Sequence, residues 1–105
     1  MRQTIQPKTL SETKSYSFDF SSLLGVGESV ASATTTASVY SGTDATPSAV
    51  INGAATLASP LVTQSITGGV LGTIYELKCL ATTTGVSPTQ ILAITAYLAI
   101  VPDLP

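Results

Sequence analysis

The side chains that could carry out chemistry in this chain are mostly hydroxyls. The 105 residues include 13 Ser and 17 Thr, one Cys and no His. A hydroxyl nucleophile needs a neighbouring base, and His is the commonest general base. A Ser–Lys pair with Lys78 is conceivable, but Glu76 lies two residues away on the same strand face. An ion pair between them is the simpler interpretation, so we expect no catalytic residues and no enzyme activity.

Metal and cofactor sites are not indicated either. The loop around Asp44 offers one carboxylate, whereas calcium takes six to eight oxygen ligands, several of them from carboxylates. The glycine-rich stretches 25–27 and 68–72 open no helix and contain no Lys, unlike phosphate-binding loops, and we interpret them as turns. Cys79 is alone, which excludes an intrachain disulfide and predicts a small buried residue. We expect no metal and no cofactor.

The charge content narrows the choice of partners. Only 10% of the residues are charged, against roughly 25% in ordinary domains. The net charge of −2 argues against a nucleic-acid partner, because such proteins show a basic footprint. The longest apolar run, 91–101, is too short to cross a bilayer, and no signal peptide is expected. Sparse charge favours a surface partly covered by partners, with a soluble Ser/Thr-rich surface as the alternative.

Alternating side chains dominate the chain from residue 14 onward. Tyr16, Phe18 and Phe20 share one parity, which predicts a strand that anchors the core. The alternative is an outward aromatic stripe that serves as a docking surface. In the next run, 29–40, Val30 and Tyr40 have the opposite parity to the other apolar residues, which predicts a β-bulge.

The remaining patterns complete a fold of about seven strands. Asn52-Gly53 predicts a hairpin between 49–51 and 54–57, and further strands are expected at 61–67, 72–81 and 90–101. The last strand is apolar on both faces, so it is either central in its sheet or covered by another chain. Short strands about ten residues apart, separated by turn residues, predict an all-β fold, an antiparallel β-sandwich.

The sequence divides into three parts. Residues 1–12 show no strand or helix period and are expected to form an extended N-terminal arm, either disordered or laid across a neighbour. Residues 13–101 form the sandwich and 102–105 an extended tail. Deletion of 1–12 is expected to leave folding intact and to abolish assembly. The candidate interface residues are Arg2, Ile5, Lys8 and Leu10 in the arm, Tyr97 in the last strand and Leu104 in the tail.

The stretch Gly72-Thr73-Ile74-Tyr75-Glu76-Leu77-Lys78-Cys79 resembles the start of strand F in immunoglobulin-like domains. The resemblance implies a tyrosine corner, in which the Tyr75 hydroxyl caps backbone near residues 69–71. The Trp of strand C and the paired Cys of antibody-type domains are missing. An antibody-type domain is therefore not supported.

Three stretches together, 16–20, 37–48 and 62–75, resemble small immunoglobulin-like proteins of tailed bacteriophages, of the fiber–tail adaptor type. The resemblance covers residues 14–101. It implies a non-enzymatic virion protein of the phage tail, made in the host cytoplasm, that connects the tail fibers to the tail tube or an adaptor ring. We expect several copies in a symmetric assembly. The alternatives are a capsid decoration protein on the phage head and a carbohydrate-binding module that uses Tyr40 and Tyr97.

Overall fold

Two stacked β-sheets form the molecule in the computed structural model, which describes residues 2–85 and 88–103. The strands are β1 (Arg2–Gln3), β2 (Lys8–Thr9), β3 (Lys14–Asp19), β4 (Ser29–Ser41), β5 (Thr56–Ala58), β6 (Leu61–Ile66), β7 (Ile74–Thr84) and β8 (Ile91–Val101), with a 3-10 helix at Pro47–Val50. Within these described ranges, no helix is long and apolar enough to span a membrane.

The strand order confirms the expected all-β sandwich. The larger sheet has the order β1-β8-β7-β4, with β2 also paired to β8, and the smaller sheet has the order β3-β6-β5. All pairs are antiparallel except those of β1 and β2 with β8, which are parallel. The order of β3 to β8 is similar to that of strands B to G in immunoglobulin-like domains.

The core lies between the two sheets and follows the alternation in the sequence. Tyr16, Phe18 and Phe20 are all buried, so the aromatic stripe belongs to the core and is not a docking surface. From the larger sheet, β7 and β8 bury every second residue: Tyr75, Leu77, Cys79, Ala81, Ile94, Ala96, Leu98 and Ile100. Register shifts at Val30/Ser32 and Val39/Ser41 confirm the bulge predicted in β4.

The hairpin predicted at Asn52-Gly53 is wrong. Pro47 begins a 3-10 helix, where its fixed φ is favourable, and this helix replaces the strand expected at 49–51. Ile51 instead forms an isolated bridge with Ile66, and β5 pairs with β6 through the turn at Ser59-Pro60. Gly53 does have a positive φ of 76°, so the chain turns there as the sequence indicates. The strand that follows, β5, nevertheless pairs with β6.

The N-terminal arm lies along its own chain, which corrects the expectation of a disordered or neighbour-bound segment. Arg2 and Gln3 pair with Thr95 and Ala96 of β8, and β2 pairs with Ile100 and Val101 near the end of that strand. With β7 on its other edge, β8 is central in the sheet. A central position is one of the two that the apolar faces predicted, but it covers the edges of β8 and leaves Ile91 on the outer face 72% exposed.

Gln3 connects the arm to the smaller sheet. Its side-chain amide donates a hydrogen bond to the carbonyl of Ser17 (2.7 Å) and accepts one from the N–H of Asp19 (3.1 Å). Both partners belong to β3, which otherwise pairs only with β6 among the described strands. The amide therefore occupies the free edge of β3 as a neighbouring strand would, and it ties the two sheets together.

Tyr16 provides a second connection between the arm and β3. Its hydroxyl donates a hydrogen bond to the backbone carbonyl of Gln6 at 2.9 Å. Burial, together with the nearby carboxylate of Glu12, raises the pKa of Tyr16 to about 12. These contacts change the expectation for arm deletion: loss of residues 2–12 removes part of the sandwich and should lower its stability.

Replacement of Gln3 by Ala is expected to destabilise the protein by about 1 kcal/mol, because two hydrogen bonds to the edge of β3 are lost. Urea denaturation measures the change, and amide exchange at Asp19 should become faster. Gln6→Ala is the matched control, because within the described residues that side chain makes one long hydrogen bond, with Lys14 at 3.4 Å. Equal stabilities of the two variants would contradict this role of Gln3.

Alkaline conditions should expose the contribution of Tyr16. The unfolded chain loses the phenol proton near pH 10, whereas the folded chain keeps it to about 12. The free energy of unfolding therefore falls as the pH rises through this interval, and the contribution is intact below pH 10. Between pH 9 and 12, the free energy of unfolding obtained from denaturation curves should fall less steeply with pH for Tyr16→Phe than for the wild type. A Tyr40→Phe control should follow the wild type, and parallel curves for all three would refute the assignment.

Candidate docking surface

The outer face of the larger sheet carries an aromatic and cationic cluster. The rings of Tyr40 on β4 and Tyr97 on β8 are tilted by 55°, with their centroids 4.6 Å apart. The guanidinium carbon of Arg2 on β1 lies 5.7 Å from the Tyr97 ring centroid, within the range of a cation–π interaction. We call Arg2, Tyr40 and Tyr97 the tyrosine patch. It brings two of the candidate interface residues together.

The tyrosine patch depends on the bulge at the end of β4. Tyr40 lies at the register shift between Val39 and Ser41, and its side chain is 62% exposed. Tyr97 lies opposite Glu76 of β7, so the two tyrosines approach each other from strands on either side of β7. Parity alone places Tyr97 on the outer face. The contact with Tyr40 requires the strand order, which the sequence does not display.

A second patch at the other end of the same face is aliphatic. Ile91 on β8 is 72% exposed and Leu80 on β7 is 39% exposed. Leu80 pairs with Ala93, two residues from Ile91 along β8. We call Leu80, Ile91 and Ala93 the aliphatic patch. Tyr97 lies six positions after Ile91 along β8, which is roughly 20 Å along an extended strand.

The other arm candidates serve the fold. Ile5 packs against the core cluster. Lys8 is buried, and its ammonium donates to the backbone carbonyls of Thr9, Leu10 and Glu12, which uses all three of its donors. Burial lowers the pKa of Lys8, and the carboxylates of Glu12 and Asp103 oppose this shift. The structure therefore makes a direct partner contact by the Lys8 side chain unfavourable.

The last residues of the arm meet the C-terminal end of the described chain at one end of the sandwich. The backbone N–H of Leu10 donates to the carbonyl of Val101 at 3.0 Å. Ser11 donates to the carboxylate of Asp103 from both its N–H and its hydroxyl, and these bonds lower the pKa of Asp103. Leu10 is partly exposed there. Leu104, the last candidate, lies outside the described residues.

Asp44 takes part in a tyrosine corner. The Tyr75 hydroxyl accepts a hydrogen bond from the N–H of Val70 (2.9 Å) and donates one to a carboxylate oxygen of Asp44 (2.6 Å). The other oxygen of Asp44 accepts from the N–H of Thr46. Gly69, with a φ of 100°, lies so close to Ile100 that a Cβ would be 2.9 Å from its side chain. The capping of residues 69–71 by Tyr75 is thus observed.

The pKa shifts in this corner follow from the same contacts. The hydrogen bond from Tyr75 lowers the pKa of Asp44, with a further contribution from the backbone of Thr46. Burial raises the pKa of Tyr75, and its bond to Asp44 adds to the rise. Both shifts keep a neutral phenol next to a carboxylate at neutral pH. The corner is therefore a stable hydrogen-bonded link between two loops.

Metal binding and thiol chemistry are not indicated in residues 2–85 and 88–103. No three His, Cys, Asp or Glu side chains lie together there in a way that could hold a metal ion. Cys79 is buried, and burial raises the pKa of its thiol although the Thr35 hydroxyl acts in the opposite direction. A thiol in that state is a poor nucleophile.

The fold and its two exposed patches define a small β-sandwich protein whose prominent surface features are suited to contact with other macromolecules. A family profile described as "Podophage GP4 fiber-tail adaptor protein gp77" matches residues 8–91. The chain belongs to this family of phage structural proteins, which are adaptors of the tail. Searches of curated proteins and of solved structures gave no match, so the immunoglobulin likeness rests on strand order.

The profile covers the strands from β2 to the first residue of β8. Tyr40, Leu80 and the Tyr75–Asp44 corner lie inside the matched region. Arg2 and Tyr97 lie outside it. The tyrosine patch therefore combines one residue from the family region with two from segments beyond that region.

Replacement of Tyr75 by Phe is expected to lower the free energy of unfolding by about 1–3 kcal/mol, because the N–H of Val70 and the carboxylate of Asp44 lose their shared partner. Urea denaturation at neutral pH measures the loss. Tyr40→Phe, which removes a hydroxyl from an exposed ring, is the control and should change stability by less than about 0.5 kcal/mol. A Tyr75→Phe variant as stable as this control would exclude an energetic role for the corner.

Proposed function

We propose that this protein is a non-enzymatic connector that holds tail fibers to the phage tail, and that it does so with the two patches on the outer face of its larger sheet. Membership of the fiber–tail adaptor family supports the adaptor role. A connector needs two separate contact surfaces on one rigid body. The observation that carries the proposal is the presence of two chemically different patches at opposite ends of one sheet.

The chemistry of the patches suits contacts with proteins. Tyr and Arg are enriched at the centres of protein interfaces, and rings and guanidinium groups there contribute most of the binding energy. In the tyrosine patch, Arg2 and Tyr97 hold each other in place before a partner arrives, which reduces the entropy lost on binding. The aliphatic patch offers burial of Ile91, most of whose side chain is now exposed to water.

The surface between the two patches carries little charge. Between them, β8 presents Thr95 on the outer face and β4 presents Thr34, Thr36 and Ser38. These short side chains form a flat surface with little charge, since Glu76 and Lys78 of β7 are the only ionisable residues of β4, β7 and β8 on this face apart from the tyrosines. A partner that covers the stretch between the patches must therefore supply polar partners for Glu76 and Lys78, because burying an unpaired charge is costly. Several copies in a closed ring would present the patches around the tail.

A test of the proposal uses phage particles assembled with variants of the chain. Tyr97→Ala and Ile91→Ser should fail in different ways, because the patches face different partners. One variant should be missing from the particles, and the other should be present in particles that have lost their fibers. Thr95→Ala, halfway between the patches, is the matched control and should behave as wild type. The proposal would be refuted if each variant were incorporated into particles and those particles kept their fibers.

The same particles distinguish the two alternatives. Density for the chain over the capsid lattice, instead of at the tail, would identify a decoration protein of the head. A carbohydrate-binding module is the second candidate, because Tyr40 and Tyr97 are adjacent aromatic rings on the surface. It predicts glycan-array binding that is lost on Tyr40→Ala. Two rings tilted by 55° to each other offer a sugar a weaker platform than two coplanar rings would. We therefore favour a protein partner.

A further inference from the structure

The free edge of β4 belongs to neither of the two patches in the proposed function. β4 is the last strand of the larger sheet, and among the described residues no strand pairs with its second edge. It is 13 residues long and contains no charged residue, Pro or Gly. Natural proteins protect such edges with Lys, Pro or bulges. Here the bulges lie near the two ends of β4, and the stretch 32–39 between them is regular.

A cavity of about 260 Å³ opens beside this edge. It lies between β4 and the segment 51–55, where the two sheets separate. The lining includes Ala33 and Thr35 from β4, Ile51, Ala54 and Ala55 from the opposite segment, and Gln64 from β6. The lining therefore combines aliphatic groups with three polar side chains, those of Thr34, Thr35 and Gln64, and none of its residues is charged.

Thr35 gives the cavity an unmet hydrogen-bonding requirement. Its side chain is 7% exposed, and its hydroxyl has no hydrogen-bond partner of good geometry among the described residues. It faces Cys79 across the β4–β7 pair, and a thiol is a weak hydrogen-bonding group. Buried hydroxyls are nearly always paired, with protein groups or with ordered water, so a polar side chain that enters the cavity can pair with this hydroxyl.

We propose that the edge of β4 and this cavity receive an extended segment of another tail protein, which adds a strand to the larger sheet and inserts one side chain beside Thr35. Strand addition supplies the main-chain hydrogen bonds, and the cavity supplies the side-chain selectivity. The segment is uncharged, since neither β4 nor the lining offers a counter-charge. The inserted side chain has an aliphatic stem and an amide end, as Gln does. The inference rests on the proposed adaptor function, which requires a partner in the tail.

A second copy of this chain does not fit the cavity. A second β4 would bring Ala33, Thr35 and Ala37, whose side chains are too small to fill it. β5 is three residues long, and the free edge of β3 is occupied by the side chain of Gln3. A different polypeptide is therefore the occupant that the geometry favours.

The test uses overlapping 12-residue peptides that cover the fiber and tail proteins of the phage that encodes this chain. The full-length protein should bind uncharged segments that contain Gln or Asn. Amide exchange in the bound state should slow at alternate residues of 32–39. Ala33→Leu, which fills the cavity from β4, and Ala54→Leu, which fills it from the other side, should each weaken binding at least about tenfold. Ala45→Leu, an exposed position outside the lining, is the control and should bind as wild type.

Two variants from opposite walls keep the result clear if one of them fails to fold. Absence of any bound peptide, or protection of the outer face without protection of β4, would overturn the inference. Binding by Ala33→Leu and Ala54→Leu equal to wild type would also overturn it, as would a concentration-dependent dimer blocked by the same substitutions. The composition of assembled particles distinguishes failure of this inference from failure of the adaptor role. If the chain is present at tails that carry fibers, the adaptor role is still supported even when no segment binds at β4 and the cavity.

Discussion

The pairing of β8 on both of its edges is the constraint on which the rest of the molecule depends. β7 occupies one edge along nearly its full length, and the arm occupies the other at two separate points. Because β8 is central, it can bury Ile94, Ala96, Leu98 and Ile100 on its inner face while its outer face stays half-covered by neighbours. The same pairing brings Arg2 to the ring of Tyr97. The pairing of the arm with β8 thus also forms the tyrosine patch.

Much of the fold could be predicted because its long strands are regular. In β3 and through most of β7, apolar and polar side chains alternate, and a one-residue shift would expose the whole core face, so parity alone assigns these strands to the sandwich. The bulge in β4 was visible for the same reason, as a break in parity at Val30 and Tyr40. The tyrosine corner followed from a local motif, in which a turn precedes Tyr75.

The errors came from segments where distant residues decide the structure. At 49–57 the Asn52-Gly53 signal is local, whereas the observed pairs join Ile51 to Ile66 and β5 to β6. In the arm only two residues pair at a time, too few to produce a period, and Gln3 bonds to β3 through its side chain. Lys8 was predicted to lie at an interface, and its burial was missed because its carbonyl partners come from a turn that the sequence does not mark. The Tyr40–Tyr97 contact and the cavity beside β4 both require the strand order.

The parallel direction of the arm and β8 has a mechanical consequence. A pull that draws residue 2 one way and residue 103 the other slides these two strands along each other. Hydrogen bonds loaded in this shearing geometry resist together, whereas those of a hairpin peeled from its end break one after another. The Ser11–Asp103 bonds add a crosslink at the far end of the same pair, and the Gln3 amide ties the arm to β3 of the other sheet. A load carried through the two ends of the described chain would therefore be shared by hydrogen bonds that resist together.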